Sequence, residues 1–222
     1  MIDQKELSIW REAFEKYGAC ELPPTLFEPT FADYIRQTSK AVTKHYTGLE
    51  KGNSVVKGDN FAKGTYNSFL GESFLQFFAP LYSKIIGKNL IPTYSFFRTY
   101  TKSNSLSPHK DRPSCQYSAT VQIDASENTV WPIKFWTKTR DIITTLNGLF
   151  SISIYKGEEI LHWREPLEYD YSTHLFIHYV DGDDPKYKHL AYDCRSSCFE
   201  TPSDKQDLKL NKVHKEIFGI PK

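Results

Sequence analysis

The sequence predicts an α+β domain in which a helical first third supports a mainly β core. Two observations carry this reading. Up to about residue 91, apolar residues recur at spacings of three and four, the period of an amphipathic helix. From about residue 92 the period changes to two. Short alternating runs then follow about every ten residues, with Asn, Gly and Pro between them, as in a sandwich or barrel.

The helices come first. Leu7, Trp10, Phe14 and Tyr17 share one face, and Gly18 supplies the stop. Phe31, Tyr34, Ile35, Thr38 and Val42 repeat the pattern after Pro29. A third helix is expected over 69–86, with Phe74, Phe77, Phe78, Leu81 and Ile85 in phase and Gly87 closing it. Between the second and third lies 47-TGLEKGNSVVKGDNFAKGTYN-67, rich in Gly and Lys, which reads as a mobile loop or irregular hairpin with the glycines a lid would use.

Strands are expected at 94-YSFFRTY-100, 115-CQYSATVQID-124, 130-VWPIKFW-136, 142-IITTLN-147, 149-LFSISIY-155 and 173-THLFIHYV-180. In the second run Cys115, Tyr117, Ala119, Val121 and Ile123 alternate with Gln116, Ser118, Thr120 and Gln122, the pattern of a half-buried strand. Beyond Val180 the chain turns polar, and a last short helix is expected over 207–218. The reading is one domain over 1–222: helical support to residue 91, a β core over 92–182 and a polar extension over 183–222.

Composition narrows the function. Aromatic residues reach 15%, enough to fill a large core or line a pocket. A net charge of +1 offers no footprint for nucleic acid or an anionic membrane. No apolar run approaches the ~20 residues of a membrane span. The N-terminal MIDQKELSIWREAFEKYG is charged and amphipathic, unlike a signal peptide. With only Cys20, Cys115, Cys194 and Cys198, free thiols in a reducing cytoplasm are expected. Cys194 and Cys198, near His189, lack the second ligand pair of a zinc motif.

The chemistry centres on 105-SLSPHKDRPSC-115. In an extended segment His109 and Asp111 project to one side while Lys110 faces away, so imidazole and carboxylate converge. His162, in 155-YKGEEILHWREPLE-168, is the best third ligand, 51 residues after Asp111, at the end of a strand. His174 and His178, on one face of a later strand, are rivals. Two histidines and one carboxylate suit Fe(II) and leave positions open for a bidentate cosubstrate and O2. The competing roles are a solvated loop for His109 and a turn cap for His162.

These residues resemble a known family. The runs 100-YTKSNSLSPHKD-111, 149-LFSISIYKGEEILHWREPL-167 and 175-LFIHYVDG-182 are similar to the Fe(II)/2-oxoglutarate-dependent dioxygenases, particularly the prolyl-4-hydroxylase-like branch, over about residues 92–182. The resemblance implies a double-stranded β-helix (a distorted jelly roll) and iron held by His109, Asp111 and His162. It also implies 2-oxoglutarate as cosubstrate with O2, succinate and CO2 as co-products, and hydroxylation of a C–H bond in a peptidyl residue, amino acid or small metabolite. A cupin-like protein that binds metal or ligand without oxidation is the alternative.

The family pattern places a tyrosine nine residues before the first histidine, where Tyr100 stands, to contact the cosubstrate's far carboxylate. It also places Lys or Arg about ten residues after the second histidine. Ser172 stands there instead, a departure from the pattern. Arg98, Arg164 and His174 are the replacements, with arginine favoured because it binds carboxylate bidentately. Tyr117 is expected to contact cosubstrate or substrate. Trp131, Phe135, Trp136, Tyr155 and Trp163 are candidates for the pocket lining, and Arg112 for steering an anionic group.

Overall fold

The computed structural model describes residues 3–45, 48–49, 56–57, 63–195 and 198. The helix expected over 207–218 and much of the 47–67 loop lie outside the described residues.

The three N-terminal helices form where the periodicity places them. Helix α1 (Gln4–Tyr17) starts at Asp3, whose carboxylate accepts the Lys5 N–H, and ends at Gly18 with φ 76°. That left-handed residue lets the chain reverse directly into a strand. Helix α2 spans Pro29–His45. Helix α3 (Phe69–Ile86) starts at Ser68, which accepts the Gly71 N–H, and ends at Gly87. A Cβ on Gly71 would meet the Ser95 side chain within 3 Å, so glycine lets α3 lie close on the sheet.

Among the described residues the strands are β1 (Ala19–Leu22), β2 (Gly48–Leu49), β3 (Val56–Lys57), β4 (Lys63–Tyr66), β5 (Leu90–Thr101), β6 (Ser105–His109), β7 (Tyr117–Ala125), β8 (Ile133–Trp136), β9 (Ile142–Thr145), β10 (Ile152–Tyr155), β11 (Leu161–Arg164) and β12 (Tyr171–Asp181). They form two antiparallel sheets. The larger has the order β1-β10-β7-β12-β5-β4-β2 and the smaller β3-β6-β11-β8-β9. The expected strand runs are all present, several of them shortened. Strands β1, β2, β3, β4, β6 and β11 lie outside those runs: each has at most five residues, too few to display a period.

The helices cover the outer face of the larger sheet. Trp10 and Phe14 from α1 and Phe74, Phe78, Tyr82 and Ile85 from α3 pack with Val121, Ile123, Leu175 and Ile177. The half-buried reading of β7 needs correcting, because all nine of its residues are buried. Its apolar row packs under the helices, and Ser118, Thr120 and Gln122 take the opposite phase, toward the space between the sheets; Asp124, beyond a bulge, pairs with Arg36 of α2. Strand β12 repeats this division, with Leu175, Ile177 and Tyr179 in the outer core and Ser172, His174 and His178 in the other phase.

Candidate metal centre

His109 ends β6 and stands opposite His162 in the β6–β11 pairing. Their rings lie 4.3 Å apart. Asp111 follows β6 in irregular chain, pinned by its N–H donating to Gly157 O at 2.9 Å, in the turn between β10 and β11. The three ligand atoms, one each from His109, Asp111 and His162, lie within 4.8 Å of one another. Asp111 Oδ1 is 3.7 Å from His109 Nε2 and 3.5 Å from His162 Nε2.

Backbone carbonyls set the ring tautomers. His109 Nδ1 donates to Ser107 O at 2.7 Å and His162 Nδ1 to Ile160 O at 3.0 Å. Each Nε2 therefore carries a lone pair directed at the Asp111 side, the arrangement of a histidine ready to bind metal. Burial alone would raise the Asp111 carboxyl, but His162, His178 and His109 around it hold it well below the ordinary carboxylate range. Burial, and then His162, push His109 below its usual value. The donor set is thus two imidazoles and one carboxylate, which fits a six-coordinate Fe(II) with open positions.

A cavity of about 280 Å³ opens on these ligands, lined by Tyr94, Phe96, Arg98, Tyr100, Leu106 and Phe176 among others. This volume is close to the lower end for small-ligand pockets. A larger groove of about 770 Å³ lies between α2, β4 and α3. Its lining has no acid, base or metal ligand beyond two tyrosines, so it is not the chemical centre.

The expected cosubstrate residues fall in different places. Arg98 and Tyr100 share one face of β5 and line the cavity, with the Arg98 guanidinium 5.2 Å from the Tyr100 ring. Arg164 lies on the His162 face of β11 but deeper, and does not line the cavity. It donates to Trp131 O and to Asn147 Oδ1, and burial pushes it down to about 10. His174 is fully buried, its ring nitrogens facing Ser172 Oγ at 2.9 Å and Thr120 Oγ1 at 3.4 Å. Tyr117 stands on the outer face of β7 against Phe14, away from the cavity. The alternating pattern separates two faces but does not say which one meets the ligands.

The other expectations divide similarly. Tyr155 lines the cavity, and Phe135 packs 6.2 Å from the His162 ring. Trp131 packs against Tyr100 and His174, Trp136 is half exposed, and Trp163 donates to Glu165. Arg112 lines the cavity but makes a two-pronged ion pair with Asp193, at 3.0 and 2.9 Å. Ser118, Gly157 and Tyr94 were not foreseen. Ser118 had a signal, since it opens the polar row of β7 immediately after the ligand loop.

His174 and His178 have a measurable consequence. Burial, assisted by Arg164, pushes His174 well below its usual value. Burial pushes His178 down to about 4, with Asp111 opposing and Arg112 assisting. Below about pH 6.5 the unfolded chain therefore takes up protons that the folded one refuses. Stability is full above that pH and falls on acidification, for His178 as far as about pH 4. Each histidine contributes up to about 1.4 kcal/mol per pH unit in its window. Urea midpoints of the metal-free protein between pH 6.5 and 5 are expected to decline less steeply, by one proton, in His174→Gln. An unchanged slope would contradict the assignment.

No protein-family model matches the sequence, and no curated protein matches it by sequence. Solved structures do match in fold. A prolyl-4-hydroxylase from Pseudomonas putida aligns at TM-score 0.60 and 11% identity, over 79% of this chain and 98% of that one. An oxidoreductase of the 2OG-Fe(II) oxygenase family from Burkholderia pseudomallei aligns at 0.64 and 11%, over 89% and 97%. The epimerase SnoN, in complex with Fe3+, α-ketoglutarate and nogalamycin RO, aligns at 0.65 and 11%, over 81% and 85%. Among the described residues no helix is long and apolar enough to cross a membrane. The chain therefore has the α+β, double-stranded β-helix fold of the 2-oxoglutarate- and Fe(II)-dependent oxygenases, prolyl-4-hydroxylases among them.

Proposed function

We propose that this protein is an Fe(II)- and 2-oxoglutarate-dependent oxygenase that hydroxylates a C–H bond of a peptidyl residue, an amino acid or a small metabolite. One observation carries the proposal. His109, Asp111 and His162 bring three ligand atoms within 4.8 Å of one another beside a cavity of small-ligand size, in a fold shared with such enzymes. His109 Nε2, Asp111 Oδ1 and His162 Nε2 would hold the metal. When bound, iron supplies the oxidative chemistry that couples decarboxylation of 2-oxoglutarate to substrate oxidation.

The chain's own residues do the rest. Arg98 and Tyr100 receive the far carboxylate of 2-oxoglutarate, replacing the basic residue that Ser172 lacks. Arg98 is the basic side chain among the three replacements that lines the cavity, and its forked donors match a carboxylate. Arg164 and His174 order the barrel floor behind Tyr100 through Trp131 and Ser172. Phe96, Leu106 and Phe176 form apolar walls that keep water from the reacting centre.

The test is succinate formation by protein loaded anaerobically with Fe(II) and then exposed to O2 and 2-oxoglutarate, with and without pooled peptides and metabolites. Succinate above the metal-free control is the expected result. Metal binding with neither succinate nor 2-oxoglutarate binding would leave a non-oxidative metal-binding protein. Arg98→Ala is expected to raise the KM for 2-oxoglutarate roughly 10- to 100-fold, the worth of a charged hydrogen bond, with kcat much less affected. A KM effect that appears in Arg164→Lys and not in Arg98→Ala would move the anchor to Arg164.

A further inference from the structure

The carboxylate of Asp111 has two oxygens with different surroundings. Oδ1 faces the two imidazoles. Oδ2 lies 3.0 Å from Ser118 Oγ, the first inward-phase side chain of β7. Ser118 Oγ is in turn 2.9 Å from His178 Nδ1, on the adjacent strand β12, where Ser118 and His178 are paired in register. The carbonyl of Cys115 lies 3.2 Å from the same hydroxyl. A hydroxyl has one proton, and an ionised carboxylate is its strongest acceptor here. The consistent direction is His178 Nδ1–H to Ser118 Oγ, and Ser118 Oγ–H to Asp111 Oδ2.

Two further contacts fix this line of bonds. The His178 ring packs 4.4 Å from the Tyr94 ring, whose hydroxyl is 3.1 Å from Cys115 Sγ. On the other side, a Cβ on Gly157 would collide with Asp111 Oδ2, Cys115 O and Ser118 Oγ, so only a glycine there leaves room for the carboxylate to seat. Asp111 is therefore held at three points: its backbone N–H on Gly157 O, its Oδ2 on Ser118, and the Gly157 backbone against the edge of its carboxylate.

We propose that Ser118, oriented by His178, is a positioning residue that keeps Asp111 a one-oxygen ligand, holding Oδ2 back so that only Oδ1 reaches the metal. One oxygen bound leaves three of six coordination positions open, enough for a two-point cosubstrate and O2; a two-oxygen carboxylate would close one of them. This inference rests on the metal reading of His109, Asp111 and His162 and adds residues from a different part of the sequence. Asp111, Cys115 and His178 also form a group whose ligand atoms approach within 4.8 Å. Within that group Ser118 engages Asp111 Oδ2 and His178 Nδ1, which suits a support of the centre; the stoichiometry of metal binding separates this from a second site.

The test uses Co(II) as the probe on the full-length metal-free protein, without 2-oxoglutarate, reading affinity, stoichiometry and the visible absorption of the bound ion. Wild type is expected to bind one Co(II). Ser118→Ala and His178→Leu are expected to bind it roughly 10- to 100-fold more weakly, the usual cost of losing an outer-sphere partner, with an altered absorption band as Oδ2 joins the metal. His178→Asn, whose side-chain amide offers a donor where Nδ1–H stood, is expected to keep affinity within about threefold and the band unchanged. If Ser118→Ala does not fold, the contrast between His178→Leu and His178→Asn decides. Unchanged affinity and spectrum in Ser118→Ala or His178→Leu would overturn the positioning role alone. Two Co(II) per chain, reduced to one in His178→Leu, would overturn it in favour of a second metal site. No Co(II) binding by wild type would overturn the metal reading and this inference together.

Discussion

Replacing Asp111 by alanine is expected to abolish 2-oxoglutarate turnover and to weaken Fe(II) binding by more than the roughly 10- to 100-fold that loss of an outer-sphere partner costs. The reason is geometric. Asp111 Oδ1 is the atom on which both imidazoles converge, 3.7 and 3.5 Å away, and it brings the charge that balances a divalent ion. Without it, two histidines remain in a partly apolar cavity, with no anionic ligand to offset the charge of a divalent cation. His109→Ala should lose turnover for the same reason. Folding should survive in Asp111→Ala, because the pinning bond to Gly157 uses the backbone of Asp111 and not its side chain. Calorimetric titration with Fe(II) under argon, beside a succinate assay, checks both statements. Retained turnover in either variant would refute the ligand assignment.

The second large effect concerns stability. Arg195→Met is expected to cost about 3–5 kcal/mol, the usual penalty for removing one member of a buried ion pair. Glu72 on α3 and Arg195 are both almost completely buried, and two guanidinium nitrogens lie 3.1 Å from Glu72 Oε2. The other carboxylate oxygen accepts from Ser95 N and Ser95 Oγ, so the pair fastens the C-terminal segment to both α3 and β5. Arg195 also donates to Thr93 O. Just before it, Tyr192, Asp193 and Cys194 hold φ of 53°, 53° and 66°, a run that L-residues adopt only under constraint. The Asp193–Arg112 ion pair secures that run beside the ligand loop. The double variant Glu72→Leu/Arg195→Met should recover part of the loss, since it leaves no charge buried alone. Urea midpoints of the two variants measure this, and a double variant no more stable than Arg195→Met would contradict the explanation.

How far the sequence was legible depended on how local the signal was. The three helices could be read because caps and apolar spacing act within a few residues: Gly18 and Gly87 both stop their helices in left-handed conformation. His109, Asp111 and His162 were legible as a set because i and i+2 share a side and His162 lies beside a turn. What the sequence lacked was the direction of each face. Tyr117 and Ser118 alternate as cleanly as any pair in the chain, yet Ser118 meets Asp111 while Tyr117 packs on Phe14. In a strand buried on both sides, hydrophobicity marks the helix-covered face and the polar row marks the interior of the barrel. The same ambiguity left Arg98 and Arg164 equal in sequence. They separate only because Arg164 is engaged by Trp131 and Asn147 below the cavity, whereas Arg98 borders it. Strands as short as β4 and β6 are set by their pairing with β5 and β11, which no local pattern encodes.

The central claim is that one Fe(II) sits between His109, Asp111 and His162. The most direct measurement is anomalous X-ray diffraction at the iron edge, from crystals grown anaerobically with Fe(II) and 2-oxoglutarate. The expected result is a single iron peak in contact with His109 Nε2, Asp111 Oδ1 and His162 Nε2, with 2-oxoglutarate reaching toward Arg98 and Tyr100. A peak lying instead among Asp111, Cys115 and His178, or no peak at the triad in iron-saturated crystals, would contradict it.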